Sequence, residues 1–320
     1  MSLAPSVQQF LARRSSAHAQ TLDAMDLHDA RQRFDFYTPL GDVPPRALAA
    51  IEDVTIEARD HAALPARIYY PAPPCWADPL PALLYFHSGG YVVGSIATSD
   101  ALCRSLAHQA GCAVVSVGYR LAPEHRFPCA VDDALDSLHW LRRNAGSLAL
   151  DGTRLALGGE SSGATLAAVC AVQARDAGIA IALQLLIYPA LSAGMDTDAH
   201  RRYGDGYFLS IDIIRWIQRN YLASTDDSRD WRFAPLDGER GAPRDWSGLA
   251  PTWIASAQYA PLQEEHGKYV EKLRQHGNAA DVVYYPGMIH GFFSMGGMIP
   301  EAAHAHRDAA RVLSAALQID

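Results

Sequence analysis

From about residue 50 onward, short apolar runs alternate with longer segments in which apolar positions recur at i, i+3 and i+4. The short runs are rich in Val, Ile and Tyr, and they predict strands at 54–58, 66–70, 82–87, 113–119, 154–158, 183–188, 252–256 and 281–285. Helical spacing fills 99–109, 128–145, 162–177, 262–275 and 301–317. Strand and helix in regular alternation predict an α/β fold, a mostly parallel eight-stranded sheet with helices on its faces.

Two segments fall outside this alternation. Residues 1–48 carry helical patterns before the first strand, and 190–250 insert another, near 210–221, between the sixth and seventh strands. Both flank the strand ends where an α/β sheet builds its site, so they are expected to form a cap over a core spanning 49–320. With 320 residues and 49% hydrophobic content, one large domain with a cap is the simplest expectation.

The formal charge of -8, with no basic stripe, argues against a nucleic-acid partner. Five cysteines without a CxxC pair read as reduced structural thiols. The N-terminus lacks a sustained apolar run and no stretch approaches 18 uninterrupted apolar residues, so no membrane insertion and a cytoplasmic location are expected.

The strongest chemical signal is Gly159-Glu160-Ser161-Ser162-Gly163, directly between a strand and a helix. A serine there sits on a sharp turn, and flanking glycines let neighbouring backbone pass. A bare GxSxG arises by chance in roughly one chain in ten of this length, but the strand before and helix after make this one a nucleophile turn. His87-Ser88-Gly89-Gly90 closes the third predicted strand, where the N–H groups of Gly89 and Gly90 can face a developing oxyanion; Ser162, following the nucleophile, would supply another. His290 follows the last strand in the run YPGMIHGFF, in the order serine then histidine. His304 and His306 point to different helix faces and make a poor metal pair, so no metal is expected. Among aromatic residues near these motifs, Tyr91 and Phe292 are the pocket candidates. Tyr203, Tyr207, Phe208 and Trp216 read as cap or core packing. Glu160, at a helix N-terminus, reads as structural.

Jointly, HSGGYVVGS at 87–95, YRLAPEHRFPCAVDDA at 119–134, GGESSGATLA at 158–167, IYP at 187–189 and YPGMIHGFF at 285–293 resemble the hormone-sensitive-lipase-like carboxylesterases. These are bacterial α/β-hydrolases with an HGGG motif. The resemblance covers about residues 45–318. It implies an N-terminal cap, no cofactor, a small-molecule ester substrate of short to medium acyl chain, and an acyl-enzyme on Ser161 with His290 as general base. It also implies a homodimer through the last strand and helix. Ser88, Glu160 and Ala164 depart from the family's usual Gly, Asp and Gly.

One departure touches the chemistry. Family members carry Asp-Pro-Leu after the seventh strand, and the aspartate orients the histidine; here the run is Tyr259-Ala260-Pro261-Leu262-Gln263-Glu264-Glu265. Pro261 suits a first helical position, so Ala260 also stands where a capping side chain is expected. Three arrangements stay open: a replacement that disables the enzyme, a substitute acid at Glu264 or Glu265, or a Ser-His dyad. The first-turn position of both glutamates is ordinary for any helix. The reading is a serine carboxylesterase. Its rivals are an amidase, lactonase or acyltransferase on the same residues, and a non-enzymatic small-molecule-binding relative.

Overall fold

The computed structural model describes residues 2–17 and 19–319. Its strands are β1 (Ala50–Glu57), β2 (Ala63–Tyr70), β3 (Leu80–Phe86), β4 (Ala113–Val117), β5 (Leu150–Glu160), β6 (Gln184–Ile187), β7 (Thr252–Tyr259) and β8 (Ala280–Ile289). They form one sheet in the order β1-β2-β4-β3-β5-β6-β7-β8. β2 runs antiparallel to both β1 and β4, and every other pairing is parallel. The central strands β4 and β6 are buried at every position, because helices cover both faces of the sheet.

Strand alternation divides the apolar residues between two cores. Leu84 and Phe86 of β3 face α4 (Cys129–Asn144), α5 (Ser162–Asp176) and α8 (Gln263–Gln275), whereas Leu83 and Tyr85 face α3 (Asp100–Ala110) and α9 (Ala302–Ala316). These elements match the expected ones to within a few residues. β1 and β5 each begin about four residues before the expected start, and β8 runs through Pro286 and Gly287 to Ile289 rather than stopping at 285. An edge strand tolerates a proline, since only one side of its backbone is paired. That extension pairs Ile289 with Tyr259 and so delivers His290 to the end of the sheet.

Four further helices lie outside the alternation: α1 (Pro5–Ser16), α2 (Leu27–Gly41), α6 (Asp198–Tyr203) and α7 (Ile211–Tyr221). Each has a local reason to start where it does. Pro5 opens α1, Asp26 accepts the Asp29 N–H at the start of α2, Thr197 accepts from His200 N–H, and Ser210 from Ile213 N–H. Arg31 fastens α2 to the core: its guanidinium donates to the carbonyls of Val92 (2.9 Å) and Ala122 (2.8 Å) and pairs with Glu124. The expected cap at Ala260 is not there. A turn at Pro261 and Leu262 intervenes, and α8 begins at Gln263. Among the described residues, no helix is long and apolar enough to cross a membrane.

The β4–α4 connection is held by an ion pair. Asp133 is fully buried and accepts from the Arg120 backbone N–H (2.9 Å) and guanidinium (2.6 Å). Asp133→Ala leaves the Arg120 guanidinium with Asp60 alone and the Arg120 N–H without its acceptor, so it should cost about 1–3 kcal/mol in denaturant unfolding. Asp132→Ala, whose carboxylate meets Arg59 at the surface, should cost less than about 1 kcal/mol. Equal losses would show that the buried pair does not hold this connection.

Candidate active site

Ser161 sits between β5 and α5 at φ 54° and ψ −118°, a conformation L residues rarely adopt and one that costs roughly 1–3 kcal/mol. The surroundings enforce it. A Cβ on Gly159 would lie 2.4 Å from the carbonyl carbon of Gly163, and one on Gly163 would lie 2.0 Å from the carbonyl oxygen of Phe86. Only glycine permits α5 to come so close to β3, and the Ser161 N–H is anchored on the Ile187 carbonyl at 2.8 Å. The turn thus presents the hydroxyl at the sheet's carboxyl end.

There the structure brings His290 to it, with Nε2 3.0 Å from Ser161 Oγ. The imidazole is buried beside the Tyr188 ring, with centroids 4.6 Å apart. Burial, and secondarily the neighbouring His266, pull its pKa down to about 3. The other ring nitrogen, Nδ1, is buried without a hydrogen-bond partner among the described residues. Since Tyr259 pairs with Ile289, the next step in register sets Ala260 beside His290, and a methyl group offers no acceptor. The consequence is tautomeric as well as electrostatic. A base needs Nε2 free and the proton on Nδ1, and a buried orphan N–H there costs about 1–3 kcal/mol.

Neither candidate glutamate fills the gap. Glu264 Oε1 accepts from the Ala199 N–H (2.7 Å), one turn away at the start of α6. Glu265 Oε2 accepts from the N–H groups of Leu191 (2.7 Å) and Ser192 (3.1 Å), pinning the segment after β6, and burial pushes its pKa up to about 8. The expectation of a substitute acid at Glu264 is therefore corrected: its position on α8 aims it at the inserted segment. His266 is locked as well. Its Nε2 donates to the Pro189 carbonyl (3.0 Å), which leaves Nδ1 to accept from the Ser256 hydroxyl (2.7 Å).

The residues expected as oxyanion donors, Gly89, Gly90 and Ser162, line the recesses that meet at Ser161. Gly89 and Gly90 have φ of 121° and 62°, and side chains there would strike the Val93 carbonyl and Ile217. Ser162 opens α5, where backbone N–H groups lack intrahelical acceptors. The Gly90 N–H, however, is given to the Ser162 hydroxyl at 2.9 Å. Glu160 is buried and accepts from Tyr188 and Ser294 hydroxyls, as a structural residue would. Burial pushes its pKa up to about 7.

Two recesses meet at Ser161. One, of about 200 Å³, lies beneath α1, α2 and α7, walled by Phe10, Phe34, Phe208, Ile213 and Trp216, with His290 at its floor. The other, of about 60 Å³, runs past Tyr91 and Ser162 towards Phe233 and Leu262. Leu209 and Ile217 border both. Tyr91 lines the smaller recess, stacked on Tyr221 at 4.0 Å. Phe292 is not a pocket residue. It is fully buried among Tyr188, Tyr285 and Phe293, because the turn after His290 rolls it back into the core. Phe208, in the bend before α7, and Trp216, on α7, read as packing, are pocket walls; in sequence an apolar side chain looks alike in the two roles.

A nucleophile turn on such a sheet, with a histidine from the last strand, recurs in known proteins. Residues 83–294 match the family described as alpha/beta hydrolase fold. The chain belongs to the α/β-hydrolase family. This hydrolase is 38% identical over 308 residues to the ethyl acetate hydrolase of Pseudomonas putida, covering 94% of this chain and 95% of that protein. It is 35% identical to the carboxylesterase NlhH of Mycobacterium tuberculosis, with 82% of each chain covered. Among solved structures, it matches the hyperthermophilic esterase of the archaeon Pyrobaculum calidifontis with a TM-score of 0.90 and 35% identity over 98% of this chain and 99% of that one. An ester-hydrolase from the metagenome of Lake Arreo, complexed with a derivative of bipyridine phosphonate, gives 0.91 and 34% over 98% of each.

The Gly90–Ser162 contact generates a test. Ser162→Ala frees the Gly90 N–H for an oxyanion while leaving a buried donor unpaired in the resting protein. Turnover of an activated ester should rise several-fold, and stability should fall by about 1–3 kcal/mol in denaturant unfolding. A fall in kcat would show that the hydroxyl positions the donor rather than occupying it.

Proposed function

We propose that this α/β-hydrolase cleaves carboxylic esters by acyl transfer through Ser161, with His290 as base and acid. The observation that carries the reading is the 3.0 Å contact between Ser161 Oγ and His290 Nε2, on a strained turn at the junction of two recesses. Residues 1–48 and 190–250 act as the cap that closes the larger recess.

In the first half-reaction Ser161 Oγ bonds to the ester carbonyl carbon as His290 Nε2 takes its proton. The carbonyl oxygen gains charge towards the backbone N–H groups of Gly89 and Ser162, with Gly90 joining if it leaves the Ser162 hydroxyl. The C–O bond to the alcohol then breaks and the alkoxide takes the proton from His290. Water repeats the sequence to release the acid. No step calls for a cofactor or metal. The narrow recess suits a short acyl group, and the wider one the remainder of the ester. The same reading makes the protein a cytoplasmic homodimer; half-exposed Val283 and Tyr284 on the edge strand β8 support the second point.

Ala260 sets the rate. With no carboxylate on Nδ1, the imidazolium formed in each transition state lacks its partner, and the productive tautomer is disfavoured. Loss of the acid from such a triad costs on the order of 10⁴ in kcat. Ala260→Asp should therefore raise kcat for 4-nitrophenyl acetate by about three to four orders of magnitude, and Ser161→Ala should abolish turnover and labelling by a fluorophosphonate. If the parent chain neither turns over nor labels at Ser161, the ester-cleaving reading fails and a binding protein replaces it.

The pH profile provides a second check. The base must be neutral, and burial holds the His290 pKa far below its ordinary value, so kcat/KM of the parent should keep its plateau well below pH 6. A carboxylate at position 260 stabilises the imidazolium and raises that pKa, moving the acid limb of the profile upward. An unmoved limb in Ala260→Asp would mean that the new carboxylate does not reach Nδ1.

A further inference from the structure

The larger recess contains two cations that the ester chemistry does not use. Arg14 of α1 and Arg33 of α2 both line it, together with the floor residues Ser161 and His290. Several arginines elsewhere in the chain pair with carboxylates: Arg31 with Glu124, Arg59 with Asp136, Arg67 with Asp53, Arg120 with Asp133. Arg14 and Arg33 have no ion pair with a carboxylate among the described residues; the guanidinium of Arg14 lies over the Phe208 ring at 5.2 Å and that of Arg33 over Tyr37 at 5.1 Å. The one acidic side chain lining the same recess, Glu160, is occupied by Tyr188 and Ser294.

Two half-buried guanidiniums in one recess repel each other and lose water, with ring stacking as the compensation among the described residues. Burial and Arg33 together lower the pKa of Arg14, as expected for a cation short of a counter-charge. Stacking on Phe208 satisfies one face of Arg14 and leaves its planar N–H fork for a ligand. A fork of this shape binds a carboxylate in two parallel hydrogen bonds. Phe10, Phe208 and Trp216, which line the same recess, suit a flat apolar spacer.

We propose that the ester this site selects carries a carboxylate on the arm that occupies the larger recess, held by Arg14 and Arg33. The inference rests on the acyl-transfer reading and names its substrate class: a small acyl group on Ser161, and a leaving arm that ends in an anion. The arginines are positioning residues. They do not touch the reacting atoms.

The test compares 4-acetoxybenzoate with its neutral counterpart methyl 4-acetoxybenzoate, using the ratio of their kcat/KM values so that intrinsic reactivity cancels between variants. In Arg14→Gln the anionic-to-neutral ratio should fall by about tenfold or more, further in Arg14→Gln/Arg33→Gln, and Arg14→Lys should restore part of it. The parent's ratio should also shrink as salt rises. A ratio unchanged in the double variant overturns the proposal. 4-Nitrophenyl acetate run alongside separates the two failures, since hydrolysis of it with no anion preference sinks only this inference. If no ester is cleaved, calorimetric binding of 4-hydroxybenzoate to Ser161→Ala decides, and affinity unaffected by Arg14→Gln overturns it.

Discussion

The contact on which the site depends is the approach of α5 to β3 at Gly159 and Gly163. Backbone atoms there come within distances that any Cβ would violate, and this leaves Ser161 no alternative to its strained turn. The strain is affordable because the turn is surrounded by the most buried part of the sheet and is anchored on β6. Everything else is arranged around that fixed hydroxyl. β8 extends past a proline to bring His290 to it, and the β3 exit loop folds back through positive-φ glycines to offer N–H groups beside it.

Against this background the substitution at position 260 is a local loss in an otherwise complete frame. The sheet, the loop after β7 and the burial of His290 are all in place, yet Nδ1 of the ring has no hydrogen-bond partner among the described residues. Glu264 and Glu265 do not move in to replace the acid, because each is already bound to backbone N–H groups of the inserted segment. Those bonds have their own work: they fix the segment between β6 and α6 that forms part of the smaller recess. A buried neutral histidine beside another buried neutral histidine is stable, but it is a poor place to create a positive charge.

The helices over the larger recess set what surrounds the nucleophile. α1, α2 and α7 contribute apolar walls, and Arg31 ties α2 to the loop that follows the oxyanion glycines. The same helices contribute Arg14 and Arg33, cations with no carboxylate partner among the described residues. A rigid hydroxyl supplied by the core and a charged, apolar cover supplied by the cap are separate solutions to separate problems. The recess takes its shape from both.

Local pattern alone determined the strands, the main helices, the nucleophile turn and the histidine, since alternation, glycine spacing and chain order are properties of neighbouring residues. It also determined that position 260 lacks an acid. What only the tertiary structure decided involves residues far apart in the chain. That Glu264 turns to Ala199, that Gly90 donates to Ser162, and that Phe292 packs inward while Phe208 and Trp216 wall a recess all depend on which elements meet. The end of β8 shows the reason most clearly. Pro286 and Gly287 are breakers by local rule, and only the free outer edge of the sheet allows the strand to continue through them to His290.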